Sequence, residues 1–383
     1  MIMRTALRLR VLKTHTPSLF WRPHSTSTPL IEEGCGGLVL KSLSTDVYEN
    51  LAVEDWIHDN VELQSRNVLF IWRNSPAVVI GRHQNPWQEC NLRLLREKGI
   101  GLARRRSGGG TVYHDLGNVN LTFFTSRKGY DRARNLGIVT RALKALRPGL
   151  DVHATERYDI LLNGRFKISG TAARLGRASA YHHCTLLCGT DTTVLAAVLK
   201  GACQGIKSNA TPSVPSPVLN LTDIDPSLDC GAVTEAVAAE YAAHHGLEPR
   251  VAPVDPRDES SLPGIGGLTR ALQAWEWVYG KTPRFSVGTS SEVCYKKSNA
   301  AVTLNMEVKD GAIVSCAIGT HRDWVPPAVC DQLASQLVGS RFCPSETAVL
   351  TAALLRTCPG DGELRDKWGV LCENVAAVME THA

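Results

Sequence analysis

Three consecutive glycines, Gly108 to Gly110, follow Arg104, Arg105, Arg106 and Ser107 and run straight into a strand-like pattern. Glycine loses more backbone entropy on folding than any other residue. A run of them beside a strand is tolerated where another backbone or a ligand must come close. Free N–H groups in such a loop cradle anions, phosphate above all. Beyond the loop, Asp115 to Asn118 read as a turn that opens a hairpin. Val119, Leu121 and Phe123 then alternate with Asn120, Thr122 and Phe124, the period of a half-buried strand.

A second hairpin isolates one side chain. Asn163 and Gly164 separate two alternating runs, and a two-residue turn of this kind needs positive φ at both positions. Phe166 and Ile168 then face one side, and Arg165, Lys167 and Ser169 the other. A mid-strand lysine is commonly a solvated edge residue that blocks aggregation. The small residues Ser169, Gly170, Thr171 and Ala172 that follow Lys167 instead leave room for a bulky ligand at the backbone.

The net charge of +5 on 383 residues is concentrated at the start of the chain. Residues 1–31 hold Arg4, Arg8, Arg10, Lys13 and Arg22 and no acid; taking these five from 42 basic residues leaves 37, equal to the acidic count. The remainder is neutral, which argues against a nucleic-acid binder. The Arg-rich, Ser/Thr-rich, acid-free segment 1–30 resembles a mitochondrial transit peptide. No apolar run is long enough to span a membrane. The twelve cysteines show no tight framework, so free thiols are expected. Cys184 and Cys188 beside His182 and His183 lack an accompanying Cys-x-x-Cys pair and read as buried thiols, not as a metal cluster.

Helical spacing is expected over 46–58, 89–98, 131–147, 233–245, 268–279, 326–338 and 346–356, and strands over 68–73, 77–80, 183–188, 302–308 and 313–318. Residues 249–267, rich in Pro, Gly and Asp, read as a linker. The pattern is α+β: a catalytic domain over 31–280 and a compact accessory domain over 281–383.

Several stretches in order resemble the lipoate–protein ligase family: Arg104 to Asp115, Lys167 to Ala172, His182 to Leu187, Val79 to Arg82 with Asn85 to Cys90, and Trp275 to Phe285. The likeness covers nearly all of the chain after the presequence. It implies a biotin/lipoate ligase-like fold, mixed sheets flanked by helices, with a small α+β accessory domain at the C-terminus. It implies that the chain moves a lipoyl group onto a lysine of a carrier domain. Those carriers would be acyltransferase subunits of 2-oxo acid dehydrogenase complexes and the glycine-cleavage H protein. Lipoyl-AMP would be a substrate, with no tightly bound cofactor, no metal, no nucleic acid and no membrane. A monomer in the mitochondrial matrix is expected. By family match Lys167 is the catalytic residue, bridging phosphate and acyl oxygens. Arg105, Gly110, Thr111, Val112, Tyr113 (through its ring and hydroxyl), Arg157, Thr185, Val214 (through its backbone) and Ser216 line the lipoyl-AMP site.

Strict alternation puts Arg157 on the face opposite Lys167, so a bulge or an approach from the strand end is required. His114 reads as a hairpin-turn histidine, with general-base duty toward the incoming amine as the alternative. The three arginines also read as a solvated basic edge attracting acidic carriers. Two positions depart from the family. Tyr158 stands where its ligases have Asn between Arg and Asp, and Arg106 stands where a small residue is common. Both count against adenylate formation and favour transfer from a preformed donor, either lipoyl-AMP or lipoylated H protein. A full ATP-dependent ligase and a non-catalytic carrier-binding module are the alternatives.

Overall fold

The computed structural model describes residues 37–201, 205–296, 298–321, 324–357 and 362–382, so the expected transit segment 1–30 lies outside it. A mixed sheet of six strands forms the centre, in the order Thr171–Leu175, Ser179–Leu187, Asn118–Ser126, Asn67–Trp72, Gly37–Ser42 and Val251–Val254. The first four strands are antiparallel neighbours, and the last two join in parallel. Val251–Val254 lies inside the segment expected to be a linker; alternating with Pro253, it is short enough to pass as loop in sequence but closes the sheet edge beside Gly37–Ser42.

Helices Arg132–Leu146 and Cys230–His245 cover one face, and Leu136, Val139, Val233 and Val237 pack there against Leu69, Leu121 and Leu186. Helix Val47–Asn60 covers the other, capped by Asp46, whose carboxylate accepts from the N–H groups of Tyr48 and Glu49. With helices on both faces, strand Asn118–Ser126 is buried on both, not half-buried as its alternation suggests. Its polar residues face a second buried layer: Thr122 Oγ1 donates to Glu54 (2.8 Å) and accepts from Trp72 Nε1 (3.0 Å).

The Asp115–Asn118 turn is present, with Asn118 N donating to Asp115 O at 3.1 Å, but it does not make a hairpin. Val112–His114 pairs with Ala77–Ile80 in a separate three-stranded sheet with Gly101–Arg104. The turn is a corner between sheets. The Asn163–Gly164 turn does make a hairpin, with φ of 52° and 64°, inside the sheet Val152–Ala154, Ile160–Leu162 and Phe166–Ser169.

At the C-terminal end a four-stranded antiparallel sheet runs Ile206–Ser208, Phe285–Tyr295, Ser298–Lys309 and Ala312–Thr320. Helices Pro327–Leu337, Pro344–Thr357 and Gly362–His382 accompany it. Strand Phe285–Tyr295 and the last helix escaped the sequence reading. Ile206–Ser208 crosses from the N-terminal part to edge this sheet, and one apolar cluster joins Val78, Trp87 and Leu95 to Phe285, Leu304 and Trp368. Among the described residues no helix is long and apolar enough to cross a membrane.

Candidate active site

A cavity of about 320 Å³ opens where the six-stranded sheet, the glycine loop and the Lys167 hairpin meet. Among the residues expected in the site, it brings together Arg105, Gly110, Thr111, Val112, Arg157, Lys167, Thr185 and Val214.

Arg105 builds the glycine loop from beneath. Its guanidinium donates to the carbonyls of Val79 (3.0 Å), Gly108 (2.6 Å) and Gly110 (2.7 Å) and to Ser107 Oγ (3.0 Å). Burial pushes its pKa down to about 10, which still leaves it charged at neutral pH. The carbonyls turn toward the arginine, so the positive edge of the loop backbone is left for a ligand. Gly109 has φ +82°, and a Cβ on Gly81 would meet Gly109 O at 2.1 Å. The loop therefore needs glycine both within it and beneath it. Arg104 and Arg105 are buried and Arg106 is half-buried against Asp55, which corrects the reading of the three arginines as a solvated edge.

Lys167 Nζ sits 2.8 Å from Asp159 Oδ1, with 26 % of its side chain exposed. Gly170 makes room for it: a Cβ there would come within 3.2 Å of Lys167 Cε. The strand carries a bulge, because Leu161 pairs with Lys167 while Ile160 pairs with Ser169. Arg157 reaches the cavity from outside the strand, on a turn where Tyr158 N donates to Thr155 O (2.9 Å) and Thr155 N to Asp159 O (2.8 Å). This is the approach from the strand end. Thr185 Oγ1 accepts from Gly170 N at 3.2 Å and joins the two walls.

A roof covers this end. Lys167 N donates to Pro217 O (2.8 Å), and Gln84 Nε2 holds Thr211 O (3.2 Å) and Ser213 Oγ (3.0 Å). Glu89 accepts from the Ser213 hydroxyl, and Ser213 Oγ accepts from Thr111 N at 2.9 Å. Gln84 and Glu89 were not expected in this role; for Glu89 its place in the matched stretch Asn85 to Cys90 was the available signal, and Gln84 stands directly before that stretch. Val214 hangs into the cavity mouth, whereas Ser216 is exposed and lies off the lining. Tyr113 also lies off it. Strand alternation sends Val112 and His114 to the cavity and the Tyr113 ring to the opposite side, against Val78 and Ile80. Burial, then the carboxylates of Asp115 and Asp191, push the Tyr113 hydroxyl up to about 12. A ligand contact through that ring or hydroxyl is corrected accordingly.

The far end was not foreseen. Leu51, Trp72, Val79, Asn120, His114 and His183 line it. His114 is buried inside the wall, on strand Val112–His114 and not on a turn, which corrects the hairpin-turn reading. Burial, then Arg105 and His183, lower its pKa to about 3, so the ring is neutral. His183 Nδ1 lies 2.8 Å from Glu54 Oε1, and its Nε2 lies 3.0 Å from Ser107 Oγ. Burial raises the Glu54 carboxyl, but the charge and hydrogen bond of His183, with Thr122, more than offset this and hold it below its usual value. Glu54 thus anchors the histidine that anchors the glycine loop.

The two family departures lie outside the cavity lining. Tyr158 holds φ +64°, a left-handed conformation that Asn adopts more readily, and its ring lies under the Arg132 guanidinium at 5.0 Å. Arg106 pairs with Asp55 at 2.6 Å and stacks on Trp277 at 4.8 Å. The argument from these residues against adenylate formation therefore has no steric basis in the cavity.

Among the described residues, no His, Cys, Asp or Glu group has the arrangement to hold a metal ion. Cys188 is buried, but Cys230, at the first turn of its helix, has activating neighbours that the sequence did not reveal. A hydrogen bond with Cys188, then the nearby Arg73, bring its thiol below the usual range despite partial burial. Alkylation of Cys230 by iodoacetamide, followed by peptide mass mapping, is expected to rise through a midpoint below that of an ordinary thiol. Arg73→Ala should move that midpoint upward.

A model of the lipoyl protein ligase A/B catalytic domain matches residues 46–242. The chain is similar to the mitochondrial lipoyl amidotransferase LIPT1 of Homo sapiens, 57 % identical over 343 residues, 90 % of this chain and 92 % of the human one. In fold it is similar to P. falciparum LipL1, solved in complex with lipoate: TM-score 0.56, 23 % identity, 89 % of this chain and 100 % of that one. A bipartite lipoate protein ligase from Thermoplasma acidophilum, solved in work on it and its E2 lipoyl domain, aligns with TM-score 0.52 at 27 % identity, over 64 % of this chain and 96 % of that one.

Proposed function

The chain belongs to the lipoyl protein ligase A/B family, and on that premise we propose that it is a lipoyl amidotransferase that carries a lipoyl group from an activated donor to a lysine of a lipoyl carrier domain. The observation that carries this reading is the position of Lys167 Nζ, at the mouth of a cavity whose other wall is the glycine loop. An acyl adenylate has a phosphate, an activated carbonyl and an apolar tail. The loop suits the phosphate, and the wall of Leu51, Trp72 and Val79 suits the tail.

From lipoyl-AMP, the carrier lysine amine attacks the lipoyl carbonyl, the C–N bond forms as the bond to the AMP phosphate oxygen breaks, AMP leaves as its anion, and the amine proton leaves to solvent. From lipoylated H protein, the bond to the donor lysine nitrogen breaks instead and that nitrogen takes up the proton. Lys167 stabilises the oxygen on which negative charge gathers, and Arg157 assists at the phosphate. Arg105 acts through the loop backbone that it holds, with Gly110, Thr111 and Val112 presenting the ligand surface. Thr185 fixes Gly170 beside the lysine, and Val214 closes the mouth. The carriers are lipoyl domains of 2-oxo acid dehydrogenase acyltransferase subunits and the glycine-cleavage H protein, met in the mitochondrial matrix. Residues 281–383 form the accessory domain and residues 1–30 the transit segment.

Incubation of a carrier domain with the protein and three donors in separate arms tests the reading by mass spectrometry. Lipoyl-AMP or lipoylated H protein should add the lipoyl mass far faster than lipoate plus ATP. Equal rates with lipoate plus ATP would make the chain a full ligase, and no transfer in any arm would make it a binding module.

A further inference from the structure

The cavity runs laterally across the sheet. Lys167 lies against Gly170, whose carbonyl accepts from Thr185 N (3.1 Å); Thr185 pairs with Asn120, and Asn120 with Trp72. Three strand spacings separate the Lys167 end from Trp72, about 14 Å, long enough for an extended lipoyl chain. Trp72 meets His114 edge-on, with ring centroids 5.8 Å apart. Whatever group ends the acyl tail therefore lies beside Trp72 and His114.

The protonation pattern of His114 is fixed by its neighbours. Asn50 Nδ2 donates to Asn74 Oδ1 (2.9 Å), so the Asn74 amide presents its NH₂ to His114 Nδ1 (3.0 Å). Nδ1 is the acceptor, and in a neutral ring the proton is on Nε2. Asn74 lies outside the cavity lining, so the Nε2 edge of the ring is turned toward the cavity side. His114 is 3 % exposed, and its Nε2 has no partner among the described residues. The neighbouring polar groups are already engaged: Asn120 donates to Trp72 O (3.3 Å) and accepts from Asn118 (3.0 Å), and His183 is held by Glu54 and Ser107. Of the buried side-chain polar atoms without a partner among the described residues, only His114 Nε2 belongs to a residue that lines the cavity.

The geometry points to His114 as the specificity-determining residue for the end of the acyl chain: its Nε2–H donates to a sulfur of the lipoyl dithiolane ring, and so favours lipoyl over a plain alkyl chain of the same length. A buried donor left without an acceptor penalises the analogue that lacks one. Sulfur is a weak acceptor, so the discrimination is modest, about tenfold in kcat/KM rather than the larger factors seen with oxygen acceptors. The rest of the wall is apolar and takes either chain. This inference rests on the lipoyl-transfer reading above.

The full chain is assayed for transfer to a carrier domain from lipoyl-AMP and from octanoyl-AMP, each over a range of concentrations. Wild type should prefer lipoyl by about tenfold. In His114→Phe the ratio of lipoyl to octanoyl kcat/KM, read within the variant, should fall to near unity. Equal kcat/KM for the two donors in wild type would overturn the proposal without any variant. So would a preference unchanged in His114→Phe. Should that variant fail to fold by circular dichroism, His114→Leu takes its place with the same expectation. Failure of wild type to transfer from either donor would overturn the lipoyl-transfer reading itself, which separates the two failures.

Discussion

Lys167→Ala is expected to lower kcat for lipoyl transfer about 100- to 1000-fold, the range for removing one group aimed at a developing oxyanion. The reason is geometric. Lys167 is the lysine on the cavity wall, it stands beside Gly170 and Thr185, and its partner Asp159 orients it without burying it. An alkyl stub leaves the glycine loop and the acyl wall intact, so binding of the donor should weaken much less than kcat. Thermal unfolding should move little, because the ion pair is partly exposed and such pairs contribute at most about 1 kcal/mol. Lys167→Arg should recover only part of the rate, because a planar guanidinium does not present its charge as a compact ammonium does. Single-turnover transfer from lipoyl-AMP, with circular dichroism alongside, reads all three points. Transfer by Lys167→Ala at the wild-type rate would remove the lysine from the chemistry. Lost transfer with carrier binding retained would separate catalysis from docking.

What could be seen in the sequence follows from whether a signal is local. The Asn163–Gly164 turn was legible, because it is set by the residues' own backbone preference. Arg105, Lys167 and Thr185, expected by resemblance, converge on one cavity. Pairing across space was not legible. Val112–His114 was assigned to a hairpin with Asn118–Ser126, and nothing in seven residues of sequence says that it pairs with Ala77–Ile80 instead. That one assignment also decides which way Tyr113 and His114 face. The same limit hid Glu54: in sequence it is one acid on a helix, and only the contact with His183 and Thr122 makes it the anchor behind the wall. The helix also shows why its amphipathic pattern was faint, since Asn50, Glu54 and Asp55 are as buried as its apolar residues.

The strongest effect on stability is expected at Arg104, which sequence reading placed in a basic stretch and the fold places in the interior. Its Nε donates to the carbonyls of Trp277 (3.1 Å) and Val278 (2.9 Å). One terminal nitrogen reaches Gly81 O (3.3 Å), Arg82 O (3.1 Å) and Gln84 O (2.8 Å), and the other reaches Thr282 Oγ1 (2.9 Å). Carbonyl dipoles solvate the charge, and burial lowers its pKa only to about 10, so it remains a cation at neutral pH. The side chain thus ties the segment before the C-terminal sheet to the turn that carries Gln84, and Gln84 holds the roof over the cavity. Arg104→Ala strands those carbonyls in a cavity with no water-sized substitute for a planar five-donor group, at a cost of about 4 kcal/mol. Set against a total stability of about 5–15 kcal/mol, that is a large fraction. Arg104→Lys should recover little, since an ammonium cannot span carbonyls on two segments at once. Arg106→Ala is the internal control: Arg106 is partly exposed, and Arg174 still holds Asp55 at 3.1 Å, so the loss should stay near about 1 kcal/mol. Urea unfolding of the three variants measures this order. A loss under about 1 kcal/mol for Arg104→Ala would mean that water replaces the guanidinium, and that the first arginine of the stretch is not what joins the cavity to the C-terminal part of the chain.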